Sequence, residues 1–151
     1  DIECPYCARF YSDGLVGIRK LVDQGKVYFV YKHFPLNFHP EAIPGALAIE
    51  CAADQGKWIE MHDLIFENQD SLRESQYKSW AVQIGMDATK FNNCFNSEKY
   101  LSKINADYQL GQSIGVKGTP KSFANGISIS GAQPFASFES IILSEIEAAN
   151  A

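Results

Sequence analysis

The sequence predicts an α/β fold with a long helical block set into its middle, and three observations carry that prediction. Cys4 and Cys7 flank Pro5-Tyr6 at the head of a helix-compatible run; Val27-Tyr28-Phe29-Val30-Tyr31 follows as an unbroken apolar stretch. A hairpin signature between Lys121 and Ser130 returns only after a pattern that is helical from Pro35 to Gly115. A helix leading into a strand that is apolar on both faces is the second half of a βαβ unit, since strands of parallel sheets are covered on both sides.

The first element carries the chemistry. If the helix starts at or just after Cys4, that thiol lies beside backbone N–H groups with no intrahelical acceptor, which stabilise a thiolate more than a thiol. Cys4 is then the attacking sulfur, ionising below the roughly 8.5 of an ordinary cysteine. Cys7 sits one turn inside and suits the resolving role. Pro5 fits the first helical turn, where a missing N–H costs nothing, and Tyr6 tunes the pair from between the sulfurs. Zinc sites use the same spacing, with Cys51, Cys94, His33, His39 or His62 as further ligands, but no second closely spaced Cys or His pair accompanies this one. A purely structural disulfide in so small a ring would constrain little chain entropy.

Phe10, Leu15, Ile18, Leu21 and Val22 form the buried stripe of the first helix, which ends by Gly25; Gly14 and Gly17 point to a bend or close packing. In the helical block, Pro40 suits a helix start, Pro44 a second start or a kink, and Ala46 to Ala53 reads as a helix buried all round. Trp58, Met61, His62, Ile65 and Phe66 mark the next. Trp80, Val82 and Ile84 belong to a third that stops at Gly85, Phe91 and Phe95 to a short one, and Leu101, Ile104, Tyr108 and Ile114 to a long one from Ser97 to Gly115. Lys121 to Ala124 and Ile127 to Ser130 then pair across Asn125-Gly126, the dipeptide that best suits a type I′ turn, with Ile127 and Ile129 on one face. Pro134 opens a final helix with Phe135, Phe138, Ile142 and Ile146 inward.

At 151 residues, 46% hydrophobic and 21% charged, the chain has the size and composition of one globular domain. A formal charge of −5 without any Lys/Arg cluster argues against nucleic acid or an anionic membrane as partner. No run is long and apolar enough to span a bilayer. No signal segment is present, and a start at Asp1 without Met reads as a processed product or a fragment.

CPYC at a helix start, an apolar strand, a helical block, Gly118-Thr119-Pro120 before a hairpin and a closing helix together resemble the thioredoxin fold. Lys32-His33-Phe34-Pro35-Leu36, His39-Pro40, Glu50-Cys51-Ala52 and Gly131-Ala132-Gln133-Pro134-Phe135 narrow this: the chain resembles the DsbA-like thiol-disulfide oxidoreductases over nearly its whole length. The resemblance implies a single domain over 1–151, with a thioredoxin core of 1–34 and 116–151 and a helical insertion of 35–115. It implies a cis Pro120 against the CxxC, with Thr119 before it, where an extended substrate segment could pair. Pro5, Tyr6, Thr119 and Pro120 are then the substrate-binding residues, although Lys121-Ser122 stands where the family continues apolar. A structural disulfide between Cys51 and Cys94, found in some members, is implied in place of two separate buried thiols, and an oxidising compartment favours it. The family also needs a strand before the CxxC helix, where this chain has Asp1-Ile2-Glu3. The expectation is therefore a longer natural N terminus, or a strand borrowed in a swapped dimer.

The implied activity is extracytoplasmic thiol-disulfide exchange with cysteines of folding proteins, as an oxidase that needs no cofactor or metal and is reoxidised by a membrane redox partner. A reductase or isomerase working from the dithiol, or a non-catalytic peptide-binding module, stand as alternatives. None of the histidines is expected to be catalytic: His33 is placed in the loop after the strand, toward the active-site end of the sheet, His39 at a helix cap, and His62 in the core with a hydrogen bond.

Overall fold

In the computed structural model, which describes residues 1–151, contacts group Asp1–Cys4 with Lys32–Gly115 as a helical unit, and Pro5–Tyr31 with Val116–Ala151 as a hairpin unit. This division departs from the expected core of 1–34 and 116–151, because residues 1–4 and 32–34 are tied to the helices. The Asp1 carboxylate accepts from the Leu36 N–H at 2.7 Å, and the His33 N–H donates to Asp107 Oδ2 at 3.2 Å.

In the hairpin unit, α1 (Pro5–Arg9) runs through a π-helical segment (Phe10–Leu15) into α2 (Val16–Asp23), and Gly25 at φ 70° ends the run. β1 (Lys121–Ala124) pairs antiparallel with β2 (Ile127–Ser130), Ala124 opposite Ile127. Asn125 and Gly126 both take positive φ, 49° and 87°, as a type I′ turn requires. Leu15, Ile18, Ile129 and Phe138 form the core of this unit, with Phe10, Phe135, Ile141 and Ile142 packed against it. Phe138 and its neighbours belong to α8 (Phe135–Asn150). The expected close approach at Gly17 is present: a Cβ there would stand 2.3 Å from the Phe135 ring. Ile127 is 43% exposed, so only Ile129 of the expected pair is buried.

The Val27–Tyr31 stretch corrects the sequence reading. It forms no regular element and enters no ladder, and Tyr28 is 93% and Val30 57% exposed. A buried strand needs neighbours on both edges, and the sheet consists of β1 and β2 alone. A direct ladder between this stretch and β1, the arrangement that would have removed the need for a further strand, does not form.

The helical unit is built around α3 (Ala42–Ala53), which packs on α4 (Trp58–Glu67), α5 (Glu74–Gln83), α6 (Ala88–Asn96) and α7 (Leu101–Ser113). Every residue of α3 from Gly45 to Ala52 is buried, as an apolar sequence without an exposed stripe requires. Pro44 sits in its first turn, where its ring obstructs nothing. Asp87 caps α6, its carboxylate accepting from the Lys90 N–H at 3.0 Å. α7 starts at Leu101, later than the Ser97 start expected, because Ser97 caps α6 and Glu98 takes a positive φ of 50° that a helix cannot contain. Val82 and Ile114 are 61% and 54% exposed, so neither joins the apolar stripe assigned to it.

Candidate redox site

Cys4 is placed by a short turn and by side chains reaching it from the helical unit. The Cys4 N–H donates to the Asp1 carbonyl at 3.3 Å, and the Asp1 carboxylate accepts from the Glu3 N–H at 2.8 Å. An aspartate that bonds the backbone two residues on is a local turn former, which is why Asp-Ile-Glu-Cys bends here. The same carboxylate, fully buried, also holds His39 Nδ1 at 2.8 Å. Ile2 is 1% exposed and sits where a Gly45 Cβ would be, 2.3 Å from that position, so the glycine makes room for it. Glu3 accepts from the Glu41 N–H at 2.7 Å, and Tyr77 donates its hydroxyl to Glu41 Oε2 at 2.7 Å. Burial, then the bond to Glu41, pushes the Tyr77 phenol well above its ordinary range, so it stays a donor. Gln69, in the 3₁₀ turn Gln69–Ser71, donates from Nε2 to the Ile2 carbonyl at 2.8 Å and to the Cys4 carbonyl at 3.1 Å.

Cys4 and Cys7 are both buried, 4% and 5% exposed, Cys4 just before α1 and Cys7 within it. Pro5 occupies the first helical position, and Tyr6 between the sulfurs is 60% exposed. The Thr119–Pro120 peptide bond is cis, and the Pro120 carbonyl accepts from the Gly131 N–H at 3.0 Å, which closes the open end of the hairpin. Thr119 and Pro120 are half-buried at the entrance to β1.

Cys51 on α3 and Cys94 on α6 form a disulfide, S–S 2.01 Å and Cα–Cα 5.8 Å. That bond takes both sulfurs out of the zinc donor set considered above. The histidines are engaged elsewhere. His39 does not cap α3, since Asp1 takes its ring. His62 is 1% exposed, bonds Asp63 at 3.0 Å and stacks on Trp58, the core role expected of it. His33 pairs through Nε2 with Glu50 Oε1 at 2.7 Å inside the helical unit. Glu50 also takes Lys103 at 3.0 Å, and Asp107 takes Lys32 at 3.2 Å. Burial would raise the Glu50 carboxyl, but the bonds from His33 and Lys103 outweigh it and hold the group below its ordinary value. Sequence reasoning missed this cluster and the Asp1, Glu41 and Gln69 supports. A charged residue inside the otherwise apolar Ala46–Ala53 run was the legible signal for Glu50; Gln69 had none.

A helix opening on a CxxC, a cis-proline hairpin, a closing helix and an inserted helical block define a thioredoxin-like fold with a helical insertion, the architecture of DsbA-like proteins. The family model described as thioredoxin matches residues 1–143, and the chain belongs to that family. Among solved structures, the thiol-disulfide exchange protein alpha-DsbA2 from Wolbachia pipientis superposes with a TM-score of 0.82 at 20% identity, covering 95% of this chain and 77% of that one. BdbD from Bacillus subtilis, in its oxidised form, gives 0.81 at 23% identity, covering 97% and 84%. Among curated proteins, the Na(+)/H(+) antiporter NhaA 3 of Salinispora tropica is 36% identical over 128 residues, 83% of this chain and 19% of that protein. The chain thus spans about a fifth of the length of the curated relatives it matches.

Proposed function

We propose that this protein is a thiol-disulfide oxidoreductase that donates the Cys4–Cys7 disulfide to cysteines of folding proteins. The observation that carries the reading is the CPYC motif at the head of α1 in a chain of the thioredoxin family. A substrate thiolate attacks Cys4 Sγ, the Cys4–Cys7 bond breaks, and Cys7 leaves as a thiolate that takes up a proton. A second substrate thiolate attacks the substrate sulfur of the mixed disulfide, and Cys4 leaves. The substrate loses two electrons and gains a disulfide; the enzyme gains both electrons as a dithiol, which a membrane redox partner reoxidises. Tyr6, exposed between the sulfurs, and Pro5, Thr119 and Pro120 are the residues assigned to substrate contact.

The Cys51–Cys94 disulfide supports an extracytoplasmic setting, where such bonds persist. The antiporter names belong to proteins of which the matching segment is a small part, and no helix of this chain is long and apolar enough to cross a membrane. Ion antiport is therefore not carried over to it.

The test is the redox potential of the Cys4–Cys7 pair in glutathione buffers, with oxidation of a reduced, unfolded substrate protein followed in parallel. A potential well above thioredoxin's roughly −270 mV, with substrate oxidised, is the expected result. A thioredoxin-like value with reduction of disulfides instead makes the protein a reductase or isomerase. A pair that does not cycle rules out exchange chemistry. Cys7→Ser should trap substrates on Cys4 as mixed disulfides, and Cys4→Ser should trap none.

A further inference from the structure

We infer that Gln69 is a positioning residue for the Cys4 sulfur: its side-chain amide clamps the backbone that presents Cys4 and thereby sets the rate of disulfide exchange. The inference rests on the exchange activity proposed above and concerns how the helical unit controls it. One terminal amide nitrogen donates both to Ile2 O, at 2.8 Å, and to Cys4 O, at 3.1 Å. A primary amide has two N–H donors on that atom, so the geometry uses its full donor capacity on carbonyls two residues apart.

The anchoring on either side makes the clamp stiff. Below it, Ile2 is locked against Gly45 of α3. Before it, the Asp1 carboxylate is held by the Leu36 N–H and by His39, while Glu3 is held by the Glu41 N–H. Gln69 itself belongs to a 3₁₀ turn in which the Ser71 N–H donates to the Asn68 carbonyl at 3.0 Å, and the Asn68 side chain bonds back to Leu64 O at 2.8 Å. Within this scaffold the Gln69 side chain reaches the backbone of Cys4. Thiol-disulfide exchange requires the attacked sulfur to lie in line with the incoming and leaving sulfurs, so latitude in the Cys4 backbone lowers the fraction of productive encounters. Because Gln69 acts through the main chain, its effect falls on exchange at Cys4 and not on the Cys51–Cys94 bond.

The experiment compares Gln69→Ala and Gln69→Glu with the natural protein, measuring the second-order rate at which a model peptide dithiol reduces the oxidised enzyme, from pH 4 to 8. Gln69→Ala removes both donors and should slow exchange by about tenfold across the range, while melting temperature and the Cys51–Cys94 bond, checked by mass spectrometry, stay close to the natural protein's. Gln69→Glu keeps the shape but at neutral pH sets a carboxylate against two carbonyl oxygens, so it should be slower still at pH 7. Its deficit relative to the natural protein should shrink as the pH drops to 4 and the protonated carboxyl regains one O–H donor. A general loss of packing would not produce that pH-dependent recovery. Natural rates in both variants, or an equal deficit of Gln69→Glu at every pH, would overturn the assignment. Absence of exchange in the natural protein would instead refute the proposed activity, which separates the two failures.

Discussion

Breaking the Cys51–Cys94 disulfide should cost this fold most of the stability that a single covalent change can remove. The two cysteines are 43 residues apart, and closing a loop of that length removes roughly 13 cal/mol/K from the unfolded chain, about 4 kcal/mol at 25 °C. For a chain of this size that corresponds to a fall of roughly 8–16 °C in melting temperature. By linkage the fold stabilises the bond by the same amount, so its reduction potential should lie roughly 85 mV below that of the same pair in the unfolded chain. Three forms in a Cys4→Ser/Cys7→Ser background isolate the effect by calorimetry: oxidised, selectively reduced, and Cys51→Ala/Cys94→Ala. The reduced form keeps both sulfurs, so it reports the cross-link alone. The alanine form adds a packing loss, because Cys51 and Cys94 are 1% and 8% exposed. A reduced form within about 1 kcal/mol of the oxidised one, or equal potentials in folded protein and in urea, would refute the loop argument.

Three further outcomes follow from the packing and the charges. Glu50→Gln should cost roughly 2 kcal/mol at pH 7, because it removes the anion that His33 and Lys103 bond inside the helical unit. Since the folded protein holds the Glu50 carboxyl below its ordinary value, its contribution is present above the ordinary glutamate range and lost as pH falls through the lower folded value. Urea midpoints measured from pH 7 to 3 should therefore fall less steeply at the acid end for Glu50→Gln than for the natural protein. Gly17→Ala should destabilise by about 1–2 kcal/mol in thermal melts: a Cβ placed 2.3 Å from the Phe135 ring overpacks the contact, and the roughly 1 kcal/mol helix-propensity gain does not offset it. Tyr77→Phe, which leaves Glu41 without its hydroxyl donor, should cost roughly 1–2 kcal/mol by urea titration.

What was legible in the sequence was local. The helical stripe of α4, the all-buried α3 and the Asn125-Gly126 turn each follow from residues within a few positions of one another, where periodicity and turn chemistry act directly. Readings that failed required knowledge of a partner. Val27–Tyr31 has the composition of a buried strand, but pairing belongs to two segments, and β1 takes β2. Val82 and Ile114 are apolar at helical spacing yet exposed, since spacing names a face without saying whether anything covers it.

The site divides along the same line. The helix opening at Pro5 and the cis Thr119–Pro120 bond were readable because each depends on adjacent residues. The groups around Cys4 were not, because their bonds join distant residues: Leu36 to Asp1 across 35 residues, Glu41 to Glu3 across 38, and Gln69 to the Cys4 carbonyl across 65. A glutamine that supports a turn by side-chain donors looks, in sequence, like any surface glutamine. This matters for how the fold would support the proposed exchange. In this structure the Cys4 carbonyl is bonded by Gln69 of the insertion, so a substitution there should alter the reactivity of a thiol it never touches. If the proposed exchange takes place at Cys4, the insertion helps to position it, and the Gln69 variants measure by how much.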